Sequence, residues 1–530
     1  MSAVTDPTLT EVRDLVARGA LADAHKLLVG HLQKHDSAEG YLLLSQIFET
    51  SGHLAQAEEC YLHILRGVPE HAGALKGLAE FYDRNKASQQ SRAYWQKYTG
   101  LHPGDLLAAM TYAEHILDDA PDDAIARLEN VLAQVQHDDL LTLKVLERVI
   151  VAKERRARNE RGLMPYHVHG LDEMFFPLTA KDVLRYRQVA ERAVKNHPEN
   201  GIAHISKAIG QFVGGEGASV ETTLAPARAE IRGLPFVNMR NRASGFYNEL
   251  AAYTDEDIFR GLPPVETVVD ATFSDRPVAL LASDGLYFER FCIPLLLSIA
   301  AVGAGAQVHI HLMDPTAGHI ALAQRLASTL GLLVAVTTEA VPAAEKAEGK
   351  SAVNYFHAIR FIRFYEYLMR YRAPIWLMDV DALFNRDPRE LFAKLGDADV
   401  AMRARPGRWE PWHQFSACAV GAAPSAASYA YFSKIAAHLA YFYERGEMTW
   451  GIDQLAMYVV FENMRESGRA PAVALLDNRV LDFDATESGV LWLDAGKAKH
   501  RTATPLASID PPTARYRALF QRYQEAARES

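Results

Sequence analysis

Asp379 and Asp381 stand one residue apart, directly after the apolar run Ile375–Met378, in the stretch APIWLMDVDALF. Side chains at i and i+2 of an extended segment point the same way. The pair therefore presents two carboxylates side by side where a buried strand ends. Like charges held this close repel unless a cation lies between them and solvent. Paired hard oxygen donors ask for a divalent metal ion, and such an ion asks for a ligand. The chain contains three more Asp-x-Asp pairs, Asp255–Asp257, Asp397–Asp399 and Asp482–Asp484. The first reads as polar linker and the second as a loop entering a strand. The third has a shorter apolar lead-in. Asp379–Asp381 alone combines a long preceding helix, an aromatic-aliphatic strand and a following turn, ALFNRDP.

Carboxylates at a strand end need a sheet to hold them. Beyond Pro277 strand patterns alternate with helical ones, which predicts a largely parallel sheet. PVALLASD (277–284), QVHIHLMD (307–314), LLVAVTTE (332–339) and IWLM (375–378) read as strands. FERFCIPLLLSIAAVG (288–303) and NYFHAIRFIRFYEYLMRY (354–371) read as helices. Ligands of open α/β sheets bind beyond the carboxyl ends of the strands, where Ser283–Asp284 and Asp379–Asp381 both fall. The preceding stretch GLPPVETVVDATFSDRP (261–277) is rich in glycine, proline and polar residues, and it places a domain boundary there. The expected domains are 1–262 and 270–530.

The first half repeats itself. Residues 38–71 and 72–105 are two units of 34 residues, in which Pro69 aligns with Pro103, Phe48 with Tyr82, and Tyr61 with Trp95. Apolar positions at helical spacing in two short helices, ended by proline, imply helical hairpins that must stack to bury their faces. A truncated earlier unit shows in GALADA (19–24), which echoes GHLAQA (52–57) at an offset of 33 residues. After residue 105 the repeat is expected to degenerate, although helical patterns continue at 122–135 and 183–209. The residues between the packing positions, Gln46, Glu49, Glu80 and Asp83, predict an acidic inner face.

The net charge of −10 argues against a general nucleic-acid binder. The basic run KERRARNERG (153–162) reads as a solvated helix end. The three cysteines are scattered with no CxxC, which excludes a thiolate zinc site and suits a reducing compartment. The N-terminus shows no signal-peptide pattern, and the longest charge-poor run, 291–313, reads as a buried helix followed by a strand. The expectation is a cytoplasmic chain without a membrane span.

The C-terminal half resembles glycosyltransferases of the GT-A fold, the metal-dependent nucleotide-sugar class, and the 34-residue units resemble tetratricopeptide repeats. The pieces that carry the first resemblance are LLASDGLYF (280–288), Arg360 and Arg363 in HAIRFIRFYEYL, and IWLMDVDALF (375–384). The implied fold is an N-terminal all-α repeat solenoid followed by a Rossmann-like GT-A domain with a mostly parallel sheet. The resemblance implies that Ala282, Ser283, Asp284 and Tyr287 hold the base and ribose of a donor. Asp379 and Asp381 would hold Mn²⁺ or Mg²⁺, with Arg360 or Arg363 as a further cationic clamp on the diphosphate. Ser416, in FSACAVGAAPSA, stands where similar enzymes carry an asparagine against the donor sugar, and Cys418 stands in place of a glycine. TWGIDQLAMYVVF matches an Asp-Gln pair beside the sugar, which gives Asp453 the sugar hydroxyls and Gln454 a place near the anomeric carbon. Asp494 or His500 would supply a third metal ligand, and Lys497 and Lys499 would contact phosphate.

The implied reaction is transfer from a nucleoside-diphosphate sugar, most often a UDP-sugar in such families, to an acceptor. Stacked hairpins form a groove suited to a protein acceptor, and self-association into a homo-oligomer is the simpler use of the repeats. The competing expectations are a transferase of polysaccharide or lipid-linked glycan, and a non-catalytic repeat scaffold.

Overall fold

A computed structural model of the chain describes residues 6–85, 87–160, 180–213, 220–227, 238–239, 245–347, 350–405, 410–477, 479–483, 488–493 and 521. They fall into two compact units, Met1–Ala157 and Arg158–Ser530.

The first unit is a run of antiparallel hairpins: α1 (Pro7–Ala17) with α2 (Leu21–Leu32), α3 (Ala38–Thr50) with α4 (Leu54–Gly67), α5 (Ala72–Arg84) with α6 (Ser88–Leu101), and α7 (Leu106–Ile116) with α8 (Pro121–Gln134). α9 (Asp139–Glu160) follows them. The repeat recurs in the caps. Ser37, His71 and Asp105 each accept a backbone N–H of the first turn with their side chain, at a spacing of one repeat. It recurs again inside the second and third hairpins, where Tyr61 donates to Glu49 at 3.0 Å and Trp95 Nε1 donates to Asp83 at 2.8 Å. Neighbouring hairpins are joined by Arg84 on Glu49 and His115 on Asp83, both at 2.8 Å. Glu49 and Asp83 are therefore pins of the stack, which corrects the free acidic face expected from the spacing. The basic run on α9 is also spent internally: Arg155 pairs with Asp118 and Arg156 with Asp122, each at 3.2 Å. The hairpin α7–α8 extends the stack beyond residue 105, where the sequence pattern had faded.

The second unit opens with helices α10 (Ala180–Asn196) and α11 (Gly201–Val213), and its sheet begins at Glu266. The strands are β1 (Glu266–Val269), β2 (Val278–Asp284), β3 (Gln307–Met313), β4 (Leu333–Glu339), β5 (Ile375–Met378), β6 (Ala382–Phe384), β7 (Val400–Ala404), β8 (Phe415–Ala422), β9 (Val473–Leu475), β10 (Leu481–Asp482) and β11 (Leu491–Leu493). Eight of them form one sheet in the order β1-β4-β3-β2-β5-β8-β7-β9, and β10-β11-β6 form a second. The central strands β4, β3, β2 and β5 are mutually parallel. Pairs β1–β4, β5–β8 and β7–β8 are antiparallel, so the sheet is mixed with a parallel centre. β1 lies in the stretch read as linker, and Asp255–Asp257 begins a short helix capped by Thr254. Compactness and strand texture give different boundaries: helices α10 and α11 belong with the sheet, although the strands start within the expected 262–270 window.

Alternation along β3 divides its environment. Val308, Ile310 and Leu312 join the core under α12 (Ile293–Val302) and α13 (Ala317–Thr329). His309 and His311 face the opposite side, where α14 (Lys350–Tyr371) supplies Tyr367 and Tyr371. The helical stretch Gly285–Val302 is the one span among the described residues long and apolar enough to cross a membrane, and it is mostly buried inside this unit.

Candidate active site

The strand order β4-β3-β2-β5 reverses direction between β2 and β5, and this switch point is where open sheets leave a crevice beyond the strand ends. β5 pairs with β2 only as far as Leu281↔Met378, while β2 continues along β3 to Asp284↔Met313. The chain after Met378 turns out of the sheet, and the Asp379 N–H goes to the Cys418 carbonyl at 2.8 Å. A cavity of about 140 Å³ opens at this point. It is walled by Ala282, Ser283, Asp284, Tyr287, Met313, Val353, Phe356, His357, Arg360, Asp379, Val380 and Asp381. The volume is below the several hundred Å³ usual for a whole small-molecule site, so these walls have room for only part of such a ligand.

Arg360 is the electrostatic centre of the cavity. Its guanidinium is ion-paired to Asp379, and Nη2 also reaches Asp453 Oδ2 at 3.2 Å. Burial works against its charge, but the Asp379 and Asp453 carboxylates outweigh that and raise its pKa above the ordinary arginine value. Asp453 lies on α15 (Ile452–Glu466), which starts after Gly451 in the left-handed conformation, φ 79°. One arginine thus joins the Asp-x-Asp turn to the Asp-Gln helix. Gln454 follows Asp453, and its Oε1 is buried without a hydrogen-bond partner among the described residues. Such a group is costly unless a ligand or water satisfies it.

Of the residues expected to hold a donor, Ala282, Ser283, Asp284, Tyr287, Arg360, Asp379 and Asp381 share this cavity. Asp284 also caps the following turn, accepting the Tyr287 N–H at 2.8 Å. Ser283 Oγ is buried without a nitrogen or oxygen partner among the described residues. Arg363 is not brought to the cavity. Its guanidinium contacts Glu339 at 2.6 Å, Glu366 at 2.7 Å and the Pro263 carbonyl at 2.7 Å. The clamp reading of Arg363 is therefore corrected to a structural one, because its donors are used within the fold. Ser416 is buried on β8, accepts from Arg405 at 2.8 Å and lies 3.2 Å from Cys418 Sγ, outside the cavity wall. Asp494, Lys497, Lys499 and His500 lie outside the described residues.

Residues not anticipated from the sequence complete the wall. Val353, Phe356 and His357 precede Arg360 by seven, four and three positions on α14, so helical spacing from Arg360 points to them. The loop before α15 is held by Asn354, which donates to the Met448 carbonyl at 3.2 Å, and by Asn238, which donates to the Glu447 carbonyl at 2.7 Å. These contacts between distant segments have no sequence signal.

No family model matches the chain, and no curated protein matches it. Among solved structures it is similar to the apo-form glycosyltransferase GlyE of Streptococcus pneumoniae, with 11% identity over 48% of this chain and 64% of that one, TM-score 0.33. It is also similar to the apo form of mouse xyloside xylosyltransferase 1, with 10% identity over 39% of this chain and 87% of that one, TM-score 0.27. A tetratricopeptide repeat protein from Parabacteroides merdae matches at 13% identity over 44% of this chain and 81% of that one, TM-score 0.32. At these scores the likenesses are partial.

Proposed function

We propose that the second unit is a glycosyltransferase that uses a nucleoside-diphosphate sugar, most simply a UDP-sugar, with Mn²⁺ or Mg²⁺. The observation that supports this reading is the convergence, in one cavity at the β2/β5 switch point, of Ser283 and Asp284 with Asp379, Asp381 and Arg360. A divalent ion fits the donor set. Mg²⁺-like ions take one or two carboxylates and complete their shell with substrate phosphates and water. Among the described residues no group of three or more His, Cys, Asp or Glu side chains is placed to hold a metal ion, so water and substrate phosphates would have to complete its shell. Asp379 and Asp381 would hold it, and when bound it would neutralise charge growing on the leaving diphosphate.

The chain's own groups supply the rest. Asp284 and Tyr287 bind the base end of the donor beside the apolar Met313, Val353 and Phe356. Arg360 keeps Asp379 oriented in the cavity wall through a charge-assisted hydrogen bond and ties it to Asp453, which is not part of that wall. A sugar extending beyond the described cavity wall would have its hydroxyls accepted by Asp453 and met by the Gln454 amide. The acceptor would be a protein recruited by the helical hairpins of the first unit.

Hydrolysis of UDP-sugars by the full-length chain, with and without Mn²⁺, tests the reading. Turnover should require the ion and fall at least about a hundredfold in Asp379→Ala and Asp381→Ala, since the ion supplies several kcal/mol to the transition state. Normal turnover by both variants in the presence of EDTA would sink it.

A further inference from the structure

The first hairpin leaves one face open. In the second hairpin, Tyr41, Leu44, Phe48 and Cys60 pack into a cluster with Leu9, Val12, Ala24 and Leu28 of the hairpin before it. At the repeat offset of 33 residues the corresponding positions in the first hairpin are Thr8, Glu11, Leu15 and Leu27. These four line an open groove of about 730 Å³ that no described residue fills, together with Asp23, Gly30 and Lys34.

Three features of α2 bear on what covers this groove. Asp23, Leu27 and Gly30 recur along α2 at intervals of four and three, and Lys34, in the turn directly after the helix, continues the spacing. Several charges elsewhere in the unit are paired between helices, as in Arg13–Glu39, Lys76–Asp105 and Arg92–Asp119. Glu11, Asp23 and Lys34, by contrast, have no ion-pair partner among the described residues. Gly30 stands inside a helix, where glycine is unfavourable, and a Cβ added there would meet nothing within 4 Å. Nothing within the chain's described residues requires that glycine. Close approach of another helix would.

We propose that this groove is the contact surface for a second copy of the chain, packed about a two-fold axis that crosses α2 between Leu28 and Val29. Antiparallel α2 helices then place Leu27 of each copy over Gly30 of the other, and Asp23 against Lys34. Each contact is made twice, as an isologous interface demands. Acidic and basic residues on the same face make it complementary to itself, and the bare glycine gives the opposing leucine a hole.

Sedimentation equilibrium of the full-length chain at low salt tests this. The expected mass is twice the 58.8 kDa of one chain. Asp23→Lys and Lys34→Asp should each weaken the dimer by on the order of tenfold or more, because like charges then meet twice. An equimolar mixture of the two variants should associate again, as should the double variant. Gly30→Leu should abolish association while circular dichroism stays at the wild-type value, since the subunit has room for it. A monomeric wild type, or a dimer indifferent to all of these substitutions, would overturn the proposal. So would a wild-type monomer that dimerises once residues 1–5 are removed, because that segment would then be the occupant. The readout is mass, so loss of donor hydrolysis does not bear on it.

Discussion

Arg360 shows how much a single side chain is asked to do at this site. It is buried, and its guanidinium is shared by Asp379, which keeps some exposure, and Asp453, which has almost none. Removing one partner of a buried pair costs more than the pair contributes, because a charge is left without compensation. Arg360→Ala should lower stability by roughly 3 kcal/mol, read from the denaturant midpoint, and should abolish donor hydrolysis. Arg360→Ala combined with Asp453→Asn should recover part of the stability but none of the turnover. Wild-type stability in Arg360→Ala would mean that Asp453 is compensated elsewhere. Arg363, three residues on, looks equivalent in sequence, yet Glu339, Glu366 and the Pro263 carbonyl take its donors. The sequence contained one of those partners, Glu366, at helical spacing. The other two come from β4 and from the segment before β1, which only folding brings near.

At the scale of elements, β3 and α14 are joined by a buried polar network. His309 Nε2 lies 2.7 Å from Thr337 Oγ1, and its Nδ1 lies 2.6 Å from the Tyr371 hydroxyl. Tyr367 bonds both Thr337 and His311. Burial, then the neighbouring His311 and Arg370, hold His309 well below the ordinary histidine pKa of 6.5, so it is neutral in the fold. The unfolded chain takes up a proton near that ordinary value, which the folded chain does not. Below about pH 6.5 the unfolded state therefore binds more protons, and stability should fall as pH drops, by up to about 1.4 kcal/mol per pH unit for this one group. Urea unfolding between pH 7.5 and 5.5 checks the sign, and His309→Gln should flatten the slope. A slope unchanged by the substitution would assign the dependence to other groups. The same pattern, His-x-His on a strand, invites a metal reading. The paired hydroxyls of Thr337, Tyr367 and Tyr371 account for the ring nitrogens that they meet.

The whole molecule divides at a place the sequence texture does not mark. A cut near Val265 follows the change from helices to strands, but it would discard Pro263 beneath Arg363, Asp255 on the Tyr365 hydroxyl at 2.9 Å, and Asn238 on the loop before α15. A fragment beginning at Arg158 retains all of these. It should hydrolyse donor at close to the full-length rate, whereas one beginning at Val265 should unfold at lower denaturant and lose turnover. Equal stability of the two fragments would show that the intervening helices are dispensable. Transfer to a protein acceptor, in contrast, should fall in both.

Helical periodicity, the 34-residue repeat and short apolar runs are local patterns, and they placed the hairpins of residues 38–105, the strands β2 to β5, the helix α14 and the Asp379–Asp381 turn without any structure. Local rules decide them because backbone hydrogen bonding and one-sided burial act over a few residues. The mixed strand order, the extra strand β1 and the membership of α10 and α11 depend on which distant surfaces meet, and no periodicity records that. The same holds within the site. Residue type alone offered two arginines, Glu49 and Asp83 as surface acids, and Asp379 with Asp453 as separate carboxylates. Tertiary packing sent Arg363 into a structural network, turned Glu49 and Asp83 into pins of the solenoid, and placed Arg360 between two carboxylates that lie far apart in the chain.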